Sequence, residues 1–385
     1  MRKAALFWFG LVVTALVALG LVVLSSASEA NGIRLHSDAY YFMQRQSFYL
    51  VIGVLVAVCA AAFDYHKWRD YQVLSWIFYV AVIIGLIAVF GFKAVNGSHR
   101  WITLGPIRIQ PGEIAKIAIV ILVAVWLDKA GWRVELFVRG ALLPAVFIGV
   151  IAVPILLAPD FGSVMVVGAA GFLIMLLAGV RILHMLPFMG LGMAVFLYKV
   201  VTNENRMARI AAFFGVKLDL GAEVVDAAAE RAAYQAKQAL VAIGNGGVWG
   251  VGLNQSMQKH YYLPEAHTDF IFAIGAEELG VLFSAGTVLL FIAFFVLAIY
   301  IARKASDRFG RFLVMGMTFI IFFQAMFNIG VVCKALPTKG MALPFFSYGG
   351  TNLLCAFFAV GTILSVGIHS YRDKRTAFVR KVLAR

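Results

Sequence analysis

Charge is what this sequence has least of. Asp, Glu, Lys and Arg make up 14% of its 385 residues, where an average soluble domain carries about 25%. A chain so poor in charge and 62% apolar is not a soluble enzyme or a soluble binding module. Cysteine is almost absent. Cys59, Cys333 and Cys355 stand alone, in or beside apolar segments, with no CxxC or other metal spacing, so they read as small core residues. Alternating ten-residue strand patterns are missing, which excludes a transmembrane β-barrel. No internal repeat and no low-complexity tract occurs. Acidic residues are outnumbered 33 to 19 by Lys and Arg, and a net charge of +14 could suit nucleic acid. The positions argue otherwise, because the cations concentrate in short loops and the tail, where membrane topology puts them. No nucleic-acid partner is expected.

What the chain does have is a series of apolar runs of about 20 residues. Ten spans are predicted, near 6–24, 46–63, 72–92, 113–128, 141–158, 162–179, 182–201, 269–302, 312–333 and 346–369. The expected fold is an all-α polytopic membrane protein forming a single domain over 1–385. The fourth span is the weakest, because Glu113 and Lys116 lie inside it, and the eighth is long enough to tilt or project. The first apolar run, Leu6 to Leu24, is longer than a signal-peptide core of about 7–15 residues, so an uncleaved first helix is expected. With the N-terminus inside, eighteen Lys and Arg fall on the inner side and seven in the short outer loops. Both termini, including the basic tail 370–385, are therefore predicted to be cytoplasmic. Between spans seven and eight, the outer segment 202–268 is too long to obey the charge rule. It contains an Ala-, Glu-, Lys- and Gln-rich stretch of helical propensity that ends in Gly. A loop of this length with its own structure is usually functional.

Four clusters fall on the outer side. "GSHRWITLGPIRIQPGEIAKI" (97–117) leads into span four, and its Glu113 and Lys116 share a helical face and can pair. A buried structural ion pair accounts for them equally well. "APDFGS" (158–163) holds Asp160, either a helix N-cap or a site residue. "LPEAHTDFIF" (263–272), with "GVGLNQSMQKHYY" upstream, offers Lys259, Glu265, His267 and Asp269. Thr268 or Asp269 could cap span eight. Glu265, His267 and Asp269 could instead be metal ligands, although in a turn their alternate spacing guarantees nothing. "LPTKGMALPFFSYGGTNLL" (336–354) has two prolines and a glycine pair that make the start of span ten irregular, with Lys339 in it. Irregular backbone at membrane depth is tolerated only where protein or a watery cavity covers it.

Carboxylates at Glu113, Asp160, Glu265 and Asp269 thus face cations at Arg100, Lys116, Lys259 and Lys339. Such a set suits a substrate with an anionic head and a lipid tail. Lys and Arg would hold phosphate or diphosphate, and a carboxylate in an apolar setting would take a proton. A proton-coupled transporter would use similar residues.

The motifs "RWITLGPIRIQPGEIAK", "PDFGS", "YLPEAHTDFIFAIGAEELG" and "LPTKGMALPFFSYGG" resemble, in order and from the first span to the last, the signatures of the SEDS (shape, elongation, division and sporulation) family of peptidoglycan glycosyltransferases. "PEAHTDF" and "LPTKG" are more similar to the division member than to the elongation member. The resemblance implies a ten-helix bundle that polymerises lipid II at the outer face of the cytoplasmic (inner) membrane, at the division septum. Asp269 matches the family's essential acid, taken as catalytic base; Glu113, Lys116 and Asp160 match its cavity groups; Arg100, Lys339 and the "PEAH" residues match other sensitive positions. The implied partners are lipid II, the undecaprenyl-diphosphate-linked glycan, a class B penicillin-binding protein that crosslinks the strands, and other division proteins. A divalent cation, Mg²⁺ or Mn²⁺, is an expectation, with no organic cofactor.

The sequence departs from the family pattern in places. Gly112 stands where "QPSE" is usual, Lys334 is an extra cation before "LPTKG", and "NENRMARIAAFFG" keeps Arg206 and Arg209 but loses the polar-proline end. The rival readings are a flippase for lipid-linked precursors and a non-catalytic division scaffold.

Overall fold

In the computed structural model, residues 2–93, 98–105, 107–214, 223–260 and 262–383 are described. Backbone groups in lipid must bond within their own segment, and the apolar runs duly form helices: α1 (Arg2–His36), α2 (Tyr41–Ala62), α4 (Gln72–Ala88), α6 (Leu143–Leu157), α7 (Phe161–Ala178), α8 (Ile182–Val201), α11 (Ile271–Lys304), α12 (Arg308–Val332) and α13 (Gly350–Leu383), with a short α3 (His66–Asp70) between the second and third. Among the described residues, these nine long helices are apolar enough to cross a membrane.

The weak fourth span is α5 (Pro111–Ala130). It carries Glu113, Lys116, Asp128 and Lys129, which dilute its hydropathy, yet every residue from 115 to 125 is buried. Helices α4, α6, α7, α12 and α13 pack around it. A helix enclosed by protein has no lipid-facing side, so it can carry an ion pair that a peripheral span could not.

Three features are not given by the span prediction. Helix α1 runs twelve residues beyond Leu24 to His36, burying Ser26 and Ser28 on its polar extension. A two-stranded hairpin, β1 (Ile102–Leu104) and β2 (Ile107–Ile109), precedes α5 with Ile102 opposite Ile109. Helix α11 breaks at Gly280, whose φ of 71° only glycine adopts cheaply. The carbonyls freed at the break are taken by the loop that precedes the 263–272 motif, with the Val251 and Gly252 amides donating to the carbonyls of Glu277 and Glu278 at 3.0 Å each.

The long loop forms α9 (Glu204–Phe214) and α10 (Glu223–Gly246), in keeping with the helical propensity of its second half. Residues 218–222 of the predicted helical stretch lie outside the described residues, as do the side chains of the basic tail beyond residue 371.

Candidate functional site

At one end of the bundle, a cavity of about 820 Å³ opens between the residues flanking the hairpin (Arg100, Trp101 and Gln110), α5, α7, α9, the run 265–269 and the stretch 336–342. All four sequence clusters meet there, which no spacing along the chain could show.

The irregular stretch before α13 holds the run preceding α11 in place. Three consecutive carbonyls are each taken. The Tyr348 amide donates to His267 at 3.0 Å, Ser347 Oγ to Thr268 at 2.6 Å and Asn328 Nδ2 to Asp269 at 2.7 Å. Ser347 Oγ in turn accepts from the Leu343 amide at 2.7 Å. Held this way, the Asp269 carboxylate lies directly against Gly340, where a Cβ would collide with it. The capping role considered for Thr268 or Asp269 is not realised. Phe270 occupies the N-cap position and no side chain caps α11. Free of that influence, Asp269 is dominated by burial, which pushes its carboxyl up to about 7. The charge of Glu265 adds to this, and Arg209 and Arg100 oppose it.

Asp160 does two things at once. It caps α7, accepting from the Ser163 amide at 3.3 Å and Ser163 Oγ at 2.8 Å, and it borders the cavity, where Gln110 Nε2 donates to it at 3.2 Å. Burial alone would raise its pKa. The charge of Arg100, the Ser163 bond and the charges of Lys116 and Lys339 outweigh burial and hold the carboxyl below its usual value. Arg100 is fixed by donating to the carbonyls of Ala158 at 3.2 Å and Pro159 at 2.5 Å. Lys116 Nζ meets Glu113 Oε1 at 2.6 Å within α5. Asn352 donates to the other Glu113 oxygen at 3.0 Å, and Gln324, its amide oxygen turned inward, accepts from Lys116 at 2.6 Å. Lys339 runs along Gly162 and over the Phe161 ring at 5.9 Å. Burial brings its ammonium down to about 7, against the pull of Asp160.

Two expected site residues lie elsewhere. His267 does not border the cavity. Its Nδ1 sits 3.2 Å from Asn31 Nδ2, and its ring packs on Phe42 at 4.7 Å and Tyr348 at 6.0 Å. In an extended run, residues 267 and 269 share a face, but the turn here points them apart. Lys259 is fully buried beside the α11 break, bonded to Ser26 Oγ at 3.0 Å and the Asn254 carbonyl at 2.9 Å, with Glu278 at 3.5 Å. Its burial is satisfied by that network, so it has no charge to offer the cavity. Glu265 does border the cavity, but it is exposed at φ 57° and its side chain accepts from Thr268 Oγ1 at 2.7 Å. It reaches Asp269 through charge and makes no bond to it. Glu265, His267 and Asp269 therefore do not converge as metal ligands. Among the described residues, no group of three His, Cys, Asp or Glu could hold an ion.

The cavity also contains residues that the sequence reading left out of the site. Arg206 and Arg209 enter it from α9. Arg206 stacks over Phe161 at 3.8 Å and donates to the Lys199 carbonyl at 2.8 Å. The available signal was their three-residue spacing on a short helix abutting a span. Gln110 and Asn352 gave none beyond lying inside motifs.

Five cations and four carboxylates thus line a largely apolar cavity in a membrane bundle. Such a lining places anion-binding groups beside apolar surface in one cavity of a polytopic helical bundle. Residues 6–372 match the cell cycle protein family of FtsW, RodA and SpoVE, and the chain belongs to it. It is 36% identical over 363 residues to a probable peptidoglycan glycosyltransferase FtsW of Geobacter metallireducens, covering 92% of each chain. It is 36% identical over 371 residues to the protein of the same name from Escherichia coli, covering 95% of this chain and 86% of that one. Its fold is shared with a chain of a peptidoglycan synthase complex that coordinates polymerisation and crosslinking, with a TM-score of 0.71 and 24% identity over 95% and 98% of the two chains. The RodA rod shape determining protein of Thermus thermophilus shares it with a TM-score of 0.66 and 24% identity, over 95% and 97%.

Proposed function

We infer that this protein is a peptidoglycan glycosyltransferase that polymerises lipid II. The observation that carries the reading is Asp269: a carboxyl raised to about 7 in a cavity whose other walls present Arg100, Lys116, Arg206, Arg209 and Lys339. Family membership and the names of its relatives support it.

The proposed reaction uses the residues that border the cavity. Asp269 takes the proton of the acceptor sugar's 4-hydroxyl as that oxygen attacks the anomeric carbon of the donor. The bond from that carbon to the lipid diphosphate breaks, and the configuration inverts. The leaving group departs already anionic, so no general acid is needed, unlike the paired carboxylates of glycosidases. Arg100, Lys116 and Lys339 stabilise its growing charge. The ionised Asp160, facing the cavity, suits a Mg²⁺ or Mn²⁺ ion shared with substrate phosphates, since one carboxylate suffices when phosphate oxygens fill the shell. Such an ion would supply charge neutralisation at the diphosphate.

The setting belongs to the same proposal. Both termini are cytoplasmic by the charge bias of the loops, which puts the cavity on the outer face. The partner is a class B penicillin-binding protein, and the identities to FtsW proteins favour septal wall synthesis with other division proteins. The test uses purified protein, with and without its cognate penicillin-binding protein, given lipid II and a divalent cation. A glycan ladder on a gel from wild type, absent with Asp269→Asn, is the expected result. Lipid movement across vesicles without polymer would replace this reading with a flippase.

A further inference from the structure

Beside the central cavity lies a second one of about 480 Å³. Its walls come from α9 (Arg209, Phe213), α10 (Lys237, Leu240) and the turn after α12 (Lys334, Leu336). Arg209, Leu336 and Thr338 border both cavities, which are therefore neighbours across one wall. Three cations and no carboxylate are among its described lining residues; the others are apolar apart from Thr338. The Thr338 hydroxyl is buried and makes no hydrogen bond within the protein.

Lys334 is the telling residue. It follows the C-cap of α12 at φ 55°, where the amides of Ala335 and Leu336 turn back onto the Gly330 carbonyl at 2.8 and 3.1 Å. Helices end on glycine at this position because a side chain resists the left-handed backbone. A cation does suit a helix C-terminus, and that purely structural account must be separated from a binding one.

This inference rests on the transferase reading. An enzyme that joins two lipid diphosphates must hold both. The donor's diphosphate leaves from the anomeric carbon beside Asp269, and Arg100, Lys116 and Lys339 serve it there. The acceptor keeps its diphosphate, one disaccharide away from the attacking hydroxyl. We propose that the second cavity is the acceptor's anion subsite, where Arg209, Lys237 and Lys334 hold the diphosphate of the lipid-linked disaccharide whose 4-hydroxyl reaches Asp269. The sugars would run past Arg209, Leu336 and Thr338, which border both cavities, and the apolar lining from Phe213 and Leu240 would meet the start of the lipid.

The experiment separates the two substrates chemically, using the full chain with its penicillin-binding protein. A donor lacking its 4-hydroxyl cannot be extended. An acceptor whose anomeric oxygen is replaced by a methylene, giving a phosphonate, cannot act as donor. With the donor fixed and the acceptor titrated, Lys237→Gln combined with Lys334→Gly should raise the acceptor KM at least about tenfold, the least that losing contacts to a charged group costs. The donor KM should not move. A third acceptor, on a neutral tether without phosphate, should already bind weakly to wild type and be no worse with the double variant. Lys334→Gly relieves the positive φ, so its thermal stability should not fall even as the KM rises. Lys334→Arg should restore binding.

An unmoved acceptor KM would overturn the proposal, as would a rise confined to the donor KM. Equal harm to the neutral-tether acceptor would also overturn it, since the cavity would then read sugar or peptide. No coupling by wild type would sink the transferase reading, and this one with it. Coupling with unchanged acceptor KM would sink this one alone.

Discussion

The side-chain amide of Asn328, deep in α12, donates to the backbone carbonyl of Asp269 at 2.7 Å. The same nitrogen donates to the Met341 carbonyl at 2.7 Å, so one side chain ties the acid to the loop that walls it in. Asn328→Leu leaves both carbonyls without a donor, at about 1–3 kcal/mol each when buried. We expect a bundle that still folds but polymerises roughly 100-fold more slowly, the scale of an ångström's misplacement. Unchanged glycan yield from the variant would show that Asp269 needs no such tether.

Gly340 and Gly112 separate close approach from tolerance. A Cβ at 340 collides with the Asp269 carboxylate, whereas one at 112 meets Ser163 Oγ at 3.3 Å and Asp160 at 3.5 Å. Gly340→Ala should abolish polymerisation while the protein still extracts as a monodisperse species. Gly112→Ser, which restores the more usual family residue, should retain activity. The gel assay on both variants decides, and the opposite ranking would refute the geometry.

Activity should be bell-shaped in pH. With Asp269 raised to about 7, kcat/KM should climb as the base ionises and level off above that value. Lys339, lowered to about 7, loses its cation over the same range and gives a falling limb. Lys339→Arg keeps its charge and should carry activity to higher pH. Stability moves oppositely for Asp269: its folded pKa lies above the unfolded value of 3.8, so the folded state binds more protons between them. Stability from this group is present at low pH and falls as pH rises through about 7. Thermal unfolding should therefore show Asp269→Asn gaining on wild type between pH 5 and pH 8.

The Glu113–Lys116 pair is buried, so removing one partner strands the other. Glu113→Gln or Lys116→Met alone should cost about 3–5 kcal/mol, and the double variant should recover much of it. Activity should not return in the double variant, because Lys116 also faces the cavity. Thermal melts and glycan assays on the three proteins separate the two roles.

Lys259 is predicted to matter for folding only. It joins Ser26 of α1, the 254–259 loop and Glu278 at the α11 break. Lys259→Met should lower the melting temperature and the folded yield, leaving the KM of the surviving folded protein as in wild type. A raised KM at unchanged stability would put Lys259 back among substrate ligands.

Much of this molecule was legible in one dimension. Hydropathy placed every membrane helix, because a lipid-embedded backbone that closes its hydrogen bonds within one segment is helical. Even the boundaries of α7 and α8 fall within a residue of the predicted spans. The weak signal of α5 was informative: its charges marked the helix that other helices enclose. The motif segments named Asp269, Asp160, Glu113, Lys116, Arg100 and Lys339, and all six do border the cavity.

What the sequence could not decide was direction. His267 and Asp269 are two residues apart, yet one points toward Asn31 and the other against Gly340, because the backbone between Glu265 and α11 turns. Lys259 looks like any loop cation until folding sets the buried carboxylate of Glu278, beside the break at Gly280, next to it. Arg206 and Arg209 reach the site only because α9 folds back over it. Nor can the pKa of Asp269 be read from the sequence, since a helix N-terminus and desolvation oppose each other and their balance depends on packing between distant segments. Local pattern determines which segments are helices and which residues are costly to bury; three-dimensional packing decides which of those costs are met by structural partners and which are left facing a cavity.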